Sequence, residues 1–333
     1  MADDHTNQEE LLRRLEAVAE RAVDGVLPPA NYALRMINHS ENTTYRVTDD
    51  QRNRFILRVH RTGYHTRNAI ESELAWMKAL REEAGVRTPA ALPGAGGRLI
   101  HHIVTDDLPE GRNCVFFEFL DGEEPDEENL LPSFPALGEV TARIHAHSRG
   151  WSLPNGFERF AWDVDTTIGD RPHWGHWKDG LNIDADRRTL FERLTAAIGR
   201  RLEHFGKGHD RYGLVHADMR LANLLVHDGQ TQVIDFDDCG FSWYLWDLGT
   251  ALSFIEDRPD VPELVDAWVE GYRRVEPLSD ADEAEIPTFI LLRRLQLVAW
   301  IGSHKETDLA QEFGGEYTAK SCDLAEDYLA KFG

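Results

Sequence analysis

Apolar residues recur at helical spacing in Leu11, Leu15, Val18 and Ala22, which predicts a leading helix that Thr6 and Glu9 would cap and that ends near Gly25 and Pro28-Pro29. Between Ala33 and Val59 the period shortens. Tyr45-Arg46-Val47 and residues 55–59 read as strands joined by a polar turn over 48–53. Helical spacing returns over 67–80, with Ile70, Leu74, Met77 and Leu80 as the apolar face. At about 100° per residue Glu73 falls roughly 45° from the centre of that face and Glu71 more than about 100° away, so Glu73 can look inward. Residues 99–104 and 114–119 form a second pair of strands, and Asp121-Gly122-Glu123-Glu124-Pro125 breaks the pattern.

Beyond that break the periodicity is mainly helical. Helices are expected over 134–147, with Leu137, Val140 and Ile144 inward, and over 187–205, with a Trp-rich irregular stretch at 162–177 between them. Further helices follow at 244–256, 261–274, 284–301 and 308–331. One hairpin interrupts this half. The runs 224–226 and 232–234 flank His227-Asp228-Gly229-Gln230, with Gly available for a positive φ. Asp218 and Asn223 precede the hairpin and Asp235 follows it, so folding it brings three oxygen-bearing side chains to one edge. Mg²⁺-dependent phosphoryl transfer needs such a set: oxygen ligands for a hard cation and a carboxylate to orient a hydroxyl.

Composition narrows the partners. The chain has 333 residues, 41% of them hydrophobic, and a net charge of -23, which suits two lobes with ordinary cores and disfavours nucleic acid or an anionic membrane. A cationic substrate is easier to accommodate, although the acidity could equally serve solubility alone. Cys114, Cys239 and Cys322 are too widely spaced for a zinc site or a disulfide framework. The acidic start lacks a signal-peptide pattern, and the apolar run 289–301 carries Arg293 and Arg294 and is too short to cross a bilayer. A soluble cytoplasmic protein is expected. Neither Gly-x-x-x-x-Gly-Lys-Ser/Thr nor Gly-x-Gly-x-x-Gly occurs, which argues against P-loop and Rossmann sites.

The combination His216-x-Asp218-x-x-x-x-Asn223 with Asp235-Phe236 resembles the aminoglycoside phosphotransferase/choline kinase-like superfamily. The run from Val233 to Gly240, followed by Trp246-Asp-Leu-Gly249, is most similar to its type II homoserine kinase, hydroxylysine kinase and bacterial stress-response kinase branch. The resemblance implies an α+β, two-lobed protein-kinase-like fold. An antiparallel-sheet N-lobe with one key helix would span 1–120 and a mainly helical C-lobe 121–333, with ATP and Mg²⁺ between them.

It also implies roles. Asp218 would orient the acceptor hydroxyl, Asn223 and Asp235 would bind Mg²⁺, and His216 and Asp247 would support the loop. Main-chain groups of Glu118, Phe119 and Leu120 would meet the nucleotide base, and a loop at 40–44, with Asn42, would cover phosphates. Three positions depart from the pattern. Arg58 stands where a phosphate-pairing lysine is usual and would pair with Glu73; otherwise it is a surface strand residue. Asp237 could hold a second Mg²⁺ or form a turn with Asp238, and Arg220 could stabilise the transferring phosphoryl group or pack against acids. Trp162, Asp163, Asp165, His173, Trp174 and Trp177 either wall an acceptor pocket or simply pack. The implied reaction is ATP- and Mg²⁺-dependent phosphorylation of a hydroxyl on a small amino-bearing metabolite: homoserine, hydroxylysine, an amino alcohol or an aminoglycoside. The alternatives are a Ser/Thr protein kinase and a non-catalytic nucleotide-binding regulator.

Overall fold

The two-residue alternation of the N-terminal strands sends Leu57 and Val59 to one face of the sheet and Arg58 to the other, and all three are buried. A computed structural model describes residues 2–39 and 42–333 and divides the chain into two compact units. Unit 1 comprises Met1–Ala79, Thr88–Asp121 and Pro154–Glu158; unit 2 comprises Leu80–Arg87, Gly122–Leu153 and Arg159–Gly333.

Unit 1 opens with α1 (Ala2–Val26), which begins before Thr6 and so contains the residue expected to cap it. Next come β1 (Tyr32–His39), β2 (Thr43–Asp49), β3 (Arg54–Val59), α2 (Arg67–Glu83, whose residues from Leu80 on count with unit 2), β4 (Ala91–Leu92), β5 (Ile100–Thr105) and β6 (Leu108–Glu118). The strands form one antiparallel sheet in the order β1-β2-β3-β6-β4, with β5 also paired to β6. Tyr45, Val47, Leu57, Val59, Cys114 and Phe116 project from one face into a core with Leu15, Val18, Ala19, Ala22 and Val23 of α1. The three larger α1 side chains contribute on the order of 5 kcal/mol of gross burial free energy. Period two then places Arg58 on the opposite face, from which Glu73 of α2 approaches. β1 lies at the sheet edge, with Met36 and Ile37 exposed and a register shift between Met36 and Asn38, which removes the clean alternation that would mark it in sequence.

Unit 2 contains α3 (Phe134–Gly150), β7 (Phe160–Ala161), α4 (Val164–Thr167), α5 (Ala185–Phe205), β8 (Tyr212–Val215), β9 (Leu224–His227), β10 (Gln230–Val233), β11 (Gly240–Trp243), α6 (Trp246–Ala251), α7 (Val261–Arg273), α8 (Asp280–Glu283), α9 (Ile286–Ser303) and α10 (Asp308–Phe332). Its centre is α9, buried on every side from Thr288 to Ile301 and packed by α5, α6 and α10. That is why its sequence shows so little helical amphipathicity. β9 and β10 pair as a two-residue hairpin whose central residues, Asp228 and Gly229, have φ of 49° and 74°, the type I′ geometry that an Asp-Gly pair favours. β8 pairs antiparallel and β7 parallel with β11. Among the described residues no helix is long and apolar enough to cross a membrane.

Helices α3 and α7 touch backbone to backbone. A Cβ at Gly138 would lie 2.1 Å from the Trp268 carbonyl oxygen, and one at Gly271 only 2.0 Å from that of Pro135. Gly271→Ala is therefore expected to cost about 1–3 kcal/mol through overpacking, read as a lower urea midpoint. The control is Gly199→Ala in α5, where a Cβ meets nothing within 4 Å; it should be neutral or stabilise by up to about 1 kcal/mol.

Candidate active site

The chain leaves β8 at Val215 and enters a loop whose shape is imposed from α6. The Asp247 carboxylate, at the start of α6, accepts the N–H of His216 (3.1 Å) at Oδ2 and that of Ala217 (2.8 Å) at Oδ1. Those bonds hold Ala217 at a φ of 68°, a left-handed conformation that costs a non-glycine residue roughly 1 kcal/mol or more. One turn further, Thr250 Oγ1 accepts the Met219 N–H (2.9 Å). His216 Nε2 donates to the Ile234 carbonyl (3.0 Å) while Nδ1 accepts the Asp218 N–H (3.2 Å), which fixes the neutral Nε2–H tautomer and ties the loop to the far end of the hairpin.

This folding bonds Asn223 to Asp218 and brings the residue before Asp235 onto the Asn223 main chain. Asn223 Nδ2 donates to the Asp218 carbonyl and to Asp218 Oδ2, both at 2.8 Å, so its amide oxygen is the atom left to serve as a ligand. The Ile234 N–H bonds to the Asn223 carbonyl (2.9 Å), which sets Asp235, at a φ of 59°, directly after it. Asp237 and Asp238 occupy the middle of a turn closed by the Cys239 N–H on the Phe236 carbonyl (3.0 Å). Arg159 clamps that turn by donating to the main-chain carbonyls of Asp237 and Cys239. Asp237 therefore lies in a turn with Asp238, and its side chain is buried. An amide oxygen with carboxylates fits Mg²⁺ or Ca²⁺ and does not fit a thiophilic metal.

Unit 1 holds the other expected residues. Arg58 Nη1 and Glu73 Oε1 are 2.7 Å apart, with Glu73 fully buried and Arg58 only 7% exposed, so the surface-strand alternative for Arg58 is excluded. The Phe117 ring lies 5.0 Å beneath the guanidinium. Asn42 Oδ1 accepts the Arg61 N–H (3.0 Å), pinning the loop after β1 to the end of β3; Ser40 and Glu41 of that loop lie outside the described residues. The Glu118 N–H bonds the Ala90 carbonyl (2.9 Å) and its carboxylate accepts the Ala90 N–H (3.0 Å). Phe119 lies beneath Arg54 at 4.1 Å, Arg54 also pairs with Asp121 (2.6 Å), and Leu120 is buried.

One residue that pattern reading did not single out contacts the loop's acid directly. Arg293 of α9 donates from Nη2 to Asp218 Oδ1 at 2.6 Å, and Arg220 Nε stands 3.4 Å from Oδ2. Burial alone would raise the Asp218 carboxyl. Arg293, then Arg220, outweigh it and hold the group below the usual carboxylate range. The available signal was an arginine in the middle of a helix apolar all round, a position that demands a buried partner. In the Trp-rich stretch, Trp162 and Trp177 are buried in packing, Asp163 caps α4 and pairs with Lys207, Asp165 pairs with Arg171, and His173 stacks on Phe160. Trp174 differs: its ring lies 5.0 Å from the Arg293 guanidinium.

Residues 34–284 match the model of the phosphotransferase enzyme family. The chain is similar to the amicoumacin kinase of Bacillus subtilis (strain 168), at 24% identity over 93% of this chain and 90% of that protein. Among solved structures it is similar to a microcompartment-associated aminopropanol kinase, at 45% identity and a TM-score of 0.88 over 95% of this chain and 98% of that one. The amicoumacin kinase hAmiN in complex with AMP-PNP, Ca²⁺ and Ami shares its fold, with a TM-score of 0.75 and 22% identity over 97% of this chain and 96% of that one.

Behind the loop, His145 Nε2 donates to Asp247 Oδ2 (2.9 Å) and Nδ1 faces the Tyr272 hydroxyl (3.1 Å). Burial lowers the His145 pKa more than Asp247 raises it, so the ring stays neutral. Below about pH 6.5 the unfolded chain binds a proton on this ring that the folded protein refuses. Stability from this site is therefore complete above that pH and is lost as the pH falls through it. Urea midpoints measured from pH 7.5 to 5 should decline, and His145→Gln should reduce the slope. Asp247→Ala, which strands two buried amides, should cost about 2–4 kcal/mol by the same measurement.

Proposed function

Since the chain belongs to the phosphotransferase enzyme family and is a small-molecule type of kinase, we propose that it transfers the γ-phosphoryl group of ATP, with Mg²⁺, to the hydroxyl of a small amino alcohol. The observation that carries this reading is the Asp218 carboxylate, held ionised, with one oxygen on Arg293 and the other on Asn223, and each oxygen keeping a lone pair for a hydroxyl. Such a group aligns the nucleophile. The acceptor oxygen bonds to the γ-phosphorus, the bond from that phosphorus to the bridging oxygen breaks, ADP departs, and the hydroxyl proton passes to Asp218 or onward to solvent. A carboxylate with lowered basicity suits a loose transition state in which proton transfer comes late.

Asn223 and Asp235 would hold the metal, with Asp237 as a further donor, and the ion would neutralise charge on the phosphates when bound. In unit 1, Arg58 would bind phosphate oxygens bidentately, with Glu73 fixing its direction. Because the Glu118 amide is already bonded within the sheet, the nucleotide base would find its partners at Phe119 and Leu120. Arg220, beside Asp218, would lend charge to the phosphoryl group in transit. The acceptor class is supported by the 45% identity to an aminopropanol kinase over nearly the whole chain and by the net charge of -23, which favours a cationic substrate.

Two measurements test the reading. Asp218→Asn should lower kcat by about 10²–10⁴-fold while Mg·ATP binding, followed by calorimetry, is largely kept; unchanged turnover would sink the mechanism. A panel of short amino alcohols should include acceptors whose turnover stops on chelation with EDTA and returns with Mg²⁺. If none consumes ATP, or if the matching alcohols without nitrogen serve equally well, the assigned acceptor class is wrong.

A further inference from the structure

The loop acid is positioned by residues far from it in sequence. Asp247, Thr250 and Ser253 recur at intervals of three along one face of α6 and its C-terminal extension, and each holds part of the loop or what contacts it. Asp247 takes the amides of His216 and Ala217, Thr250 takes that of Met219, and Ser253 Oγ accepts Arg293 Nε at 2.9 Å while donating to the Thr250 carbonyl. Asp218, the remaining member of residues 216–219, is reached through Arg293. Arg293 is 1% exposed, and its guanidinium is bonded at all three nitrogens: Nε to Ser253, Nη1 to Gln296 Oε1 (3.0 Å) and Nη2 to Asp218 Oδ1 (2.6 Å). The Trp174 and Trp246 rings lie 5.0 and 5.9 Å from it. It cannot turn without breaking three hydrogen bonds in a buried setting.

We infer that Arg293 is a positioning residue which sets the plane of the Asp218 carboxylate before any acceptor arrives, with Ser253 and Gln296 holding the arginine. This rests on the phosphotransfer reading above. A carboxylate side chain free to rotate would have to be ordered in each catalytic cycle, whereas donors fixed on both oxygens leave only the remaining lone pairs for the hydroxyl. Displacement of a reacting group by about 1 Å can cost on the order of 10²-fold in rate. Arg293 touches no reacting atom; its effect passes entirely through Asp218.

The test is a double-mutant cycle on the full-length protein with ATP, Mg²⁺ and an amino alcohol acceptor, using Arg293→Met, Asp218→Ala and the pair, with single-turnover transfer of labelled phosphate for the slow variants. Arg293→Met should lower kcat by about 10²-fold and leave the KM for ATP within about threefold. In the Asp218→Ala background the same change should alter kcat by less than about threefold, because no carboxylate remains to be set. Arg293→Lys, which keeps the charge and loses the anchors, should fall between Met and wild type, and it carries the cycle if the Met variant fails to fold. Equal losses in both backgrounds would show a merely structural effect, and an unchanged kcat in a folded Arg293→Met would also overturn the proposal. Unchanged kcat in Asp218→Ala would instead remove the reading beneath it.

Discussion

A single buried carboxylate, that of Asp247, shapes the loop that carries Asp218. Two successive amides, those of His216 and Ala217, converge on Asp247, and Ala217, though not a glycine, adopts a positive φ there. Two charge-assisted hydrogen bonds offset that conformational cost. The same carboxylate is held from behind by His145, whose other nitrogen faces Tyr272 of α7, so helix packing and loop geometry are one problem. The close α3 and α7 contact, possible only because Gly138 and Gly271 lack a Cβ, keeps that histidine where Asp247 needs it.

Buried cations are the second theme. Arg58, Arg293 and Arg294 are each nearly inaccessible and each has a carboxylate partner: Glu73, Asp218 and Glu256. Removing such charges from water is expensive, and ion pairs of this kind contribute little net stability compared with apolar residues of similar size. What they contribute is direction. A guanidinium bonded at several nitrogens presents its remaining donor along one line. Arg294, tied to Glu256, Asp257, Ser321 and Tyr317, fastens α10 to α9. Its neighbour Arg293 points instead to Asp218, so adjacent residues on one helix divide structural and positioning duties.

Much was legible before the fold was known. The Asp-Gly hairpin, the inward Glu73 and the spacing of Asp218, Asn223 and Asp235 are local in origin: turn geometry, helical period and short-range chain connectivity place them. Less was legible where burial broke the local pattern. The first strand has an irregular, exposed edge; α9 is apolar on every side and so hides which face its arginines use; and the tryptophans of residues 162–177 look like a binding wall, although Trp162 and Trp177 are packing and Trp174 alone of that group reaches Arg293.

The sequence by itself determined the reaction class and named candidate residues for phosphate and metal, because that chemistry calls for particular side chains at short, fixed separations. Only the tertiary structure decided how the acid among them is aimed. Thr250, Ser253 and Arg293 lie 31 or more residues away from the groups they hold, and no periodicity links positions so distant. What links them is the burial of α6 and α9 in one core, which leaves each polar group with a single direction in which its hydrogen bond can be made.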